Sequence, residues 1–234
     1  MCITFVYIEH NPNAKYKLIL LNNRDELLNR PTSTARWENG ILAGRDEKES
    51  IRGTWLCMNA IGRISNLLTI TVPINQMKSN SATRGLTYQS DDKIEITRYS
   101  SGIYGFSNSP SCEPFKKVQR GVEKMRGIID EINSKNYAEA EIIERLLQLA
   151  TDKYQCFPDD QLKRRCGRSS ELCKYRTAIF VRYPDGIPYG TRSHTIIIVD
   201  RNNRVTYYEK SMEAGAGKAS EATWTEHIFH FELI

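Results

Sequence analysis

The sequence predicts one α+β domain with mainly antiparallel sheets. β-rich segments occupy both ends of the chain, and two amphipathic helical segments lie between them. Strands and helices do not alternate as they would in a parallel sheet. A chain of 234 residues can also bury a full core in a single domain.

The N-terminal part predicts two hairpins separated by a polar loop. CITFVYIEH and AKYKLILLNN are β-rich, and the intervening NPNA carries an Asn-Pro turn signal. We expect a loop in RDELLNRPTSTARW, a strand in GILAG and a hairpin around Ile61-Gly62. A loop over NQMKSNSATRG and another hairpin around Asp91-Asp92 should follow.

The middle of the chain predicts two helices, because apolar residues recur there at helical spacing. The first helix carries these residues at Phe115, Val118, Val122, Met125, Ile128, Ile129 and Ile132, and the second at Ala138, Ile142, Ile143, Leu146, Leu147 and Ala150. We then expect a basic loop in PDDQLKRRCGRSSELCK and four strands, YRTAIFVRY, SHTIIIVD, RVTYYEKS and EHIFHFELI. Asn202-Asn203 predicts a tight turn between the middle two.

Charge and composition exclude some functions. A net charge of +5, spread along the chain, suits an anionic small ligand or a membrane surface but is too weak to indicate nucleic acid. No apolar run reaches the ~20 residues of a membrane span, and we expect no secretory signal. The six cysteines include no C-x-x-C pair, so we expect reduced thiols, no metal site and a cytoplasmic location.

Cys2 is the sharpest candidate for chemistry. If Met1 is removed, the thiol and the α-amine share one residue, and an amine with a pKa near ~8 can take the thiol proton. NNRDE ends the second predicted strand, and an antiparallel hairpin places that end beside Cys2, close to Arg24 and Asp25. The alternatives are a small residue that opens a strand and a solvated ion pair in a turn.

Other polar residues allow both functional and structural interpretations. Asn108, in GFSNSP, could donate an amide hydrogen to an oxyanion or simply belong to a turn. Arg192 and His194 enter a predicted strand, where the histidine could ligate haem or a metal ion, or serve the structure. The basic run over residues 163–168 could contact phosphate or lipid head groups, or be solvated.

Together these stretches resemble the NRDE-domain family, whose motif is Asn23-Arg24-Asp25-Glu26 here. MCITFVYIEH, YKLILLNNRDELLNRPT, RGTWLCMN, GIYGFSN and YGTRSHTIIIVD occur in the family's order, which predicts one NRDE domain over residues 1–234. The family is similar to the N-terminal nucleophile hydrolases, and this implies an αββα sandwich of two antiparallel sheets with helical layers. Two departures are Leu68-Thr69 where the family has Thr-Asn, and several tens of residues missing between Gly85 and Leu86, through natural shortening or a gap in the numbering.

The resemblance also implies residue roles and a function. If the protein is an enzyme, an amidase or thioesterase, Cys2 is the nucleophile, Arg24 and Asp25 hold it, and Asn108 is an oxyanion donor. The favoured function is intracellular trafficking, with haem bound as cargo rather than as a resident cofactor; the alternative ligand is an acyl-CoA or lipid. The family's links to Golgi organisation, secretion, mitochondria and lipid homeostasis allow a mitochondrial or Golgi-associated location and peripheral membrane contact. The predicted ligand-binding set is Cys2, Asn23, Arg24, Asp25, Glu26, Asn108, Arg192 and His194.

Overall fold

The computed structural model describes residues 2–71, 97–213 and 219–234. The strands are β1 (Ile3–Ile8), β2 (Tyr16–Leu27), β3 (Thr32–Glu38), β4 (Ile41–Asp46), β5 (Leu56–Asn59), β6 (Ile64–Asn66), β7 (Gly102–Phe106), β8 (Tyr189–Asp200), β9 (Arg204–Met212) and β10 (Trp224–Glu232). The α-helices are α1 (Lys116–Ser134), α2 (Glu139–Ala150), α3 (Asp160–Cys166) and α4 (Ser170–Cys173). Three predictions lie outside the described residues: the loop over residues 75–85, the shortening at Gly85 and the hairpin around Asp91-Asp92. Strand β7 lies in the described residues that follow this region.

Within those ranges the strands form two antiparallel sheets that face each other. The large sheet has six strands in the order β10-β9-β8-β2-β1-β7, and the small sheet has four in the order β3-β4-β5-β6. Helices α1 and α2 pack on the face of the large sheet that is turned away from the small sheet. This architecture confirms the α+β class with two antiparallel sheets.

Strand β2 lies at the centre of the large sheet, and its side chains alternate between two buried layers. Ile19 and Leu21 pack against the helices, whereas Leu20 packs in the apolar core between the sheets. A strand buried on both faces reads as a continuous apolar run, which explains the sequence LILL. The same alternation continues into the polar end of β2 and sends neighbouring polar side chains to opposite sides.

Three predicted segments are wrong. NRDE is part of β2, and β3 begins at Thr32, where the sequence predicts a loop, because the polar side chains there find buried partners in other strands. The predicted basic loop contains α3 and α4; Asp159 caps α3 by accepting a hydrogen bond from the Leu162 amide at 3.0 Å, and Gly167 ends it with φ of 63°. The first strand predicted after that loop is replaced by a 3₁₀-helix, Lys174–Thr177, and one β-bridge.

The expectation of reduced thiols is wrong for one pair. Cys166 at the end of α3 and Cys173 at the end of α4 form a disulfide, with Cα atoms 6.1 Å apart. The turn at Gly167 brings the two short helices together, and spacing along the sequence does not reveal that contact. Cys2, Cys57 and Cys156 are half-buried free thiols.

Candidate functional site

A cavity of about 560 Å³ opens where the start of β1 meets the end of β2. The register pairs Ile3 with Asn23, so Cys2 lies beside Arg24 as the hairpin predicts. The cavity is lined by Cys2, Arg24, Asp25, Glu26, Arg30, Asp46, Glu49, Gly53, Thr54, Trp55, Leu67, Thr69, Ile70, Thr71, Asn108, Arg176 and Tyr189. Five members of the predicted ligand-binding set are therefore brought together here: Cys2, Arg24, Asp25, Glu26 and Asn108.

A β-bulge in the pairing of β2 with β8 orients the polar side chains at the end of β2. Arg24 pairs with Ser193 and Asp25 with Thr191, which leaves Arg192 of β8 as the extra residue. The Thr191 hydroxyl donates a hydrogen bond to Asp25 Oδ1 at 2.7 Å, and both residues are buried. The bulge thus holds Asp25 in place while the strand keeps Arg24 on the side of the small sheet.

Arg24 is fixed in the cavity wall by three partners. Its Nη2 is 3.0 Å from Asp46 Oδ2, its Nη1 donates to the Thr32 hydroxyl at 3.1 Å, and its guanidinium lies 4.1 Å from the ring centre of Trp55. Burial lowers the pKa of Arg24, while the carboxylates of Glu26 and Asp46 raise it. Arg30 shares the same Asp46 oxygen at 2.5 Å, so two guanidinium groups stand side by side at the cavity.

Asn108 holds the backbone of Cys2 rather than presenting an amide hydrogen to the thiol. The Cys2 N–H donates to Asn108 Oδ1 at 2.6 Å, and Asn108 Nδ2 donates to the Thr69 carbonyl at 2.5 Å. Burial raises the pKa of the Cys2 thiol, and the backbone N–H of Asp25 and the guanidinium of Arg24 lower it. The Cys2 thiol therefore needs a base before it can act as a nucleophile.

Lys117 is a buried charged residue that the sequence reasoning missed. It projects from the first turn of α1, is fully buried, and its Nζ lies 3.3 Å from the Ala178 carbonyl. Burial raises the pKa of Asp25, and the Lys117 ammonium lowers it; burial likewise lowers the pKa of Lys117. The available signal was helical spacing, because Lys117 lies four residues before Gly121 and eight before Met125 on the buried stripe of α1.

Asn23 and His194 lie on the helix side of the large sheet and do not line the cavity. Asn23 Oδ1 is 2.7 Å from His194 Nδ1, and Asn23 Nδ2 donates to the carbonyls of Ala150 and Ile179. The His194 ring stacks on Trp224 at 5.2 Å, and burial lowers the pKa of His194 to about 3. This neutral histidine joins the sheet to the helical layer.

Arg192 is also outside the cavity lining. Its Nη1 donates to the carbonyls of Leu27 and Arg30, at 3.1 and 2.5 Å, and so fixes the turn between β2 and β3. Asn66, two residues before the Leu68-Thr69 that stands where the family has Thr-Asn, accepts from the Thr4 hydroxyl and donates to the Trp55 carbonyl. Thr69 reaches the cavity instead and binds Asn108 through its carbonyl.

In the part of the chain that the structure describes, no three His, Cys, Asp or Glu side chains are grouped as metal ligands. No helix within those ranges has the length and apolarity of a membrane span. Trp55, Asp46, Arg176 and Tyr189 line the cavity without having been predicted, because they come from strands and loops far from NRDE in sequence.

Comparison with known proteins gives the family. The model of the Transport and Golgi organisation 2 family matches residues 1–90 and 75–214. The chain belongs to the Transport and Golgi organisation 2 family. It is 29% identical over 284 residues to the mouse Transport and Golgi organization 2 homolog, covering 100% of this chain and 99% of the relative.

Two further family members align over nearly their whole length. The Drosophila melanogaster Transport and Golgi organization protein 2 is 25% identical over 270 residues, covering 91% of this chain and 92% of that protein. The human Transport and Golgi organization protein 2 homolog is 28% identical over 265 residues, covering 91% and 93%. These matches confirm the family resemblance of the sequence, and the family's name places its members in transport and Golgi organisation.

Proposed function

We propose that this protein binds and mobilises a small anionic cargo within Golgi-related transport, with haem as the cargo and the cavity beside Cys2 as its site. The observation that carries the proposal is the lining of the cavity. Arg24, Arg30 and Arg176 share it with the rings of Trp55 and Tyr189 and with four carboxyl side chains, of which Asp46 pairs with both Arg24 and Arg30. Guanidinium groups bind carboxylates, and aromatic rings cover a flat apolar ligand, so this lining suits a planar molecule with carboxylate substituents.

Size and polarity support the same class of ligand. A volume of about 560 Å³ lies within the range of small-molecule sites. Leu67 and Ile70 add apolar surface to the wall. Cys2 also lines this space, and cysteine thiolate is one of the side chains that ligate haem iron.

A spectral titration with haem tests the proposal. Wild-type protein should shift the haem absorption band at one equivalent, and Arg24→Gln should weaken binding by about tenfold or more, because one charge-assisted contact is lost. Arg36→Gln is the matched control, since Arg36 is half exposed and outside the cavity. Cys2→Ser should alter the position of the band if the thiolate ligates iron.

A parallel titration with palmitoyl-CoA separates the two ligand classes. Competition between palmitoyl-CoA and haem would place both ligands in one site. Binding of palmitoyl-CoA alone would replace haem with the acyl-CoA alternative. A flat response to both ligands would refute a cargo-binding role for the cavity.

A second candidate, Cys2-dependent hydrolysis of an amide or thioester, is favoured by one contact. The Cys2 nitrogen lies 2.6 Å from Asn108 Oδ1, which would orient an α-amine to take the thiol proton if Met1 is removed. The thiolate would attack the acyl carbon, the α-ammonium would return the proton to the departing amine or thiol, and water would then cleave the acyl-enzyme thioester, releasing the acid and regenerating the thiol. Two measurements test this mechanism. Mass spectrometry of the mature N-terminus shows whether Met1 is removed, and a retained Met1 refutes the mechanism. Turnover of acyl substrates should be lost in Cys2→Ala and kept in wild type and in the control Cys57→Ala.

A further inference from the structure

A small polar cavity lies between the two sheets, directly behind the wall of the ligand cavity. It measures about 20 Å³ and is lined by Arg24, Thr32, Ser33, Thr34, Trp55, Arg192, Ser193, Glu209, Ser211 and Met212. Arg24 and Trp55 line both cavities and therefore separate them. A charge in the small cavity therefore lies against two side chains of the ligand site.

The small cavity is surrounded by buried polar atoms that have no hydrogen-bond partner among the described residues. They are Trp55 Nε1, Arg192 Nε, Ser193 Oγ, Glu209 Oε2 and Ser211 Oγ. Buried polar groups are nearly always bonded to protein or to ordered water, and this volume accommodates one water molecule. A water there can accept from the indole and guanidinium N–H groups and donate to the Glu209 carboxyl.

Glu209 is the ionisable group of this cavity. It projects from β9 toward the small sheet, is 1% exposed, and its Oε1 accepts a hydrogen bond from the Ala35 amide at 2.6 Å. Gly44 leaves the room that the carboxyl occupies, because a Cβ there would lie 3.1 Å from Glu209 Oε2 and 2.7 Å from Trp55 Cη2. The carboxyl is thus enclosed between Trp55 and the two sheets.

Charged and titratable groups approach Glu209 from several elements. These groups are Arg24 of β2, Arg192 of β8 and Tyr207 of the same strand. His227 of β10 pairs with Glu209 in the sheet register, and Cys57 of β5 adjoins Tyr207. The nearest residues of β3 and β4, Ser33, Ala35 and Gly44, do not titrate. Among these groups Arg24 alone also lines the ligand cavity.

We propose that Glu209 is a positioning residue that couples proton exchange to cargo binding, because its ionisation behind Arg24 weakens the affinity of the ligand cavity for an anion. This inference rests on the proposed function. With the carboxyl neutral, Arg24, which is paired with Asp46 on the ligand side, has no second negative charge behind it. With the carboxyl ionised, a buried negative charge offsets Arg24 and opposes the anion across a low-dielectric wall.

The titration falls in a useful range. Burial raises the pKa of Glu209 to about 7, while the Ala35 N–H and the Arg24 charge lower it. An anion in the ligand cavity disfavours the ionised carboxyl, so anion binding takes up a proton. Cargo is therefore held more tightly below pH 7 and released more readily above it.

The experiment uses anilinonaphthalene sulfonate, a flat fluorescent anion whose sulfonate stays ionised at neutral pH. The dissociation constant of the wild-type protein should increase about fivefold between about pH 6 and about pH 8.5, the low end of typical coupling between sites. Glu209→Gln should show nearly the same constant at both pH values. His227→Asn is the matched control and should keep the wild-type dependence; loss of the dependence in His227→Asn but not in Glu209→Gln overturns the proposal.

A second readout uses the wild-type protein without a ligand, so it does not depend on whether a variant folds. The infrared carbonyl stretch of protonated, buried carboxyl groups should be present in wild-type protein at about pH 6 and should lose the intensity of one carboxyl group by about pH 8.5. Its absence at the lower pH overturns the proposal. Fluorophore binding with the same pH dependence in wild type and Glu209→Gln overturns the coupling alone, whereas no binding of fluorophore or haem at either pH overturns the proposed function as well.

Discussion

Substituting Gly121 with alanine tests how closely α1 packs on the strand that carries Cys2. A Cβ at Gly121 would lie 1.9 Å from Cζ and 2.2 Å from Cε1 of Phe5, and the Phe5 ring is completely buried. Gly127 lies in the same helix, and a Cβ there meets no atom of the described residues within 4 Å. The two glycines therefore form a matched pair with opposite expectations.

The magnitude follows from two competing terms. Replacing an interior helical glycine with alanine stabilises a helix by about 1 kcal/mol, and this gain applies at both positions. At Gly121 the methyl group must displace the Phe5 ring or the helix by more than an ångström, and overpacking a core costs about 1–3 kcal/mol or more. Gly127→Ala should thus raise the free energy of unfolding by about 0.5–1 kcal/mol, and Gly121→Ala should lower it by about 1–2 kcal/mol.

Equilibrium unfolding in urea measures both changes as shifts of the midpoint at constant slope. Equal shifts for the two variants, or a stabilised Gly121→Ala, would refute the close contact between α1 and β1. That result would also remove the basis for placing Lys117 near Asp25, because the same helix carries Lys117.

Three further predictions concern buried ionisable groups. Lys117→Met should lower the free energy of unfolding at neutral pH by about 3–5 kcal/mol, because Asp25 loses a buried counter-charge. Lys116 is exposed, and Lys116→Met should change that free energy by less than about 0.5 kcal/mol. Equal effects of the two substitutions would contradict the burial of Lys117. His194 has a pKa of about 3 in the fold and about 6.5 when unfolded, so its contribution to stability is present above pH 6.5 and is lost as the pH falls toward 3. Urea unfolding should therefore show that His194→Gln loses less stability than wild type between about pH 6.5 and about pH 4. An equal loss of stability in the two proteins would contradict a neutral, buried histidine. Burial raises the pKa of Glu209 from 4.5 to about 7, so the stability of the wild-type protein falls by about 3 kcal/mol as the pH rises through that window. The unfolding free energy of Glu209→Gln minus that of wild type should therefore grow with pH. A constant difference would refute the raised pKa.

The sequence alone predicted the features that depend on local pattern. The helical spacing of apolar residues located α1 and α2, because the period of a helix is visible within a few turns. Turn signals and β-rich runs located the β1–β2 hairpin, and antiparallel pairing then placed Cys2 beside Arg24. Most of the cavity residues in the predicted ligand-binding set follow from that one hairpin.

Only the tertiary structure decided which layer each polar residue meets. Asn23 and Arg24 are neighbours in the motif, yet Asn23 bonds to the helical layer and Arg24 lies against Trp55, which directly precedes β5 of the small sheet, because successive side chains of a strand point to opposite faces. Lys117 and Glu209 look like solvated charges in the sequence. Their burial is tolerated because partners from distant elements, such as the Ala178 carbonyl and the Ala35 amide, hydrogen-bond to them, and such partners are brought together only when the layers pack.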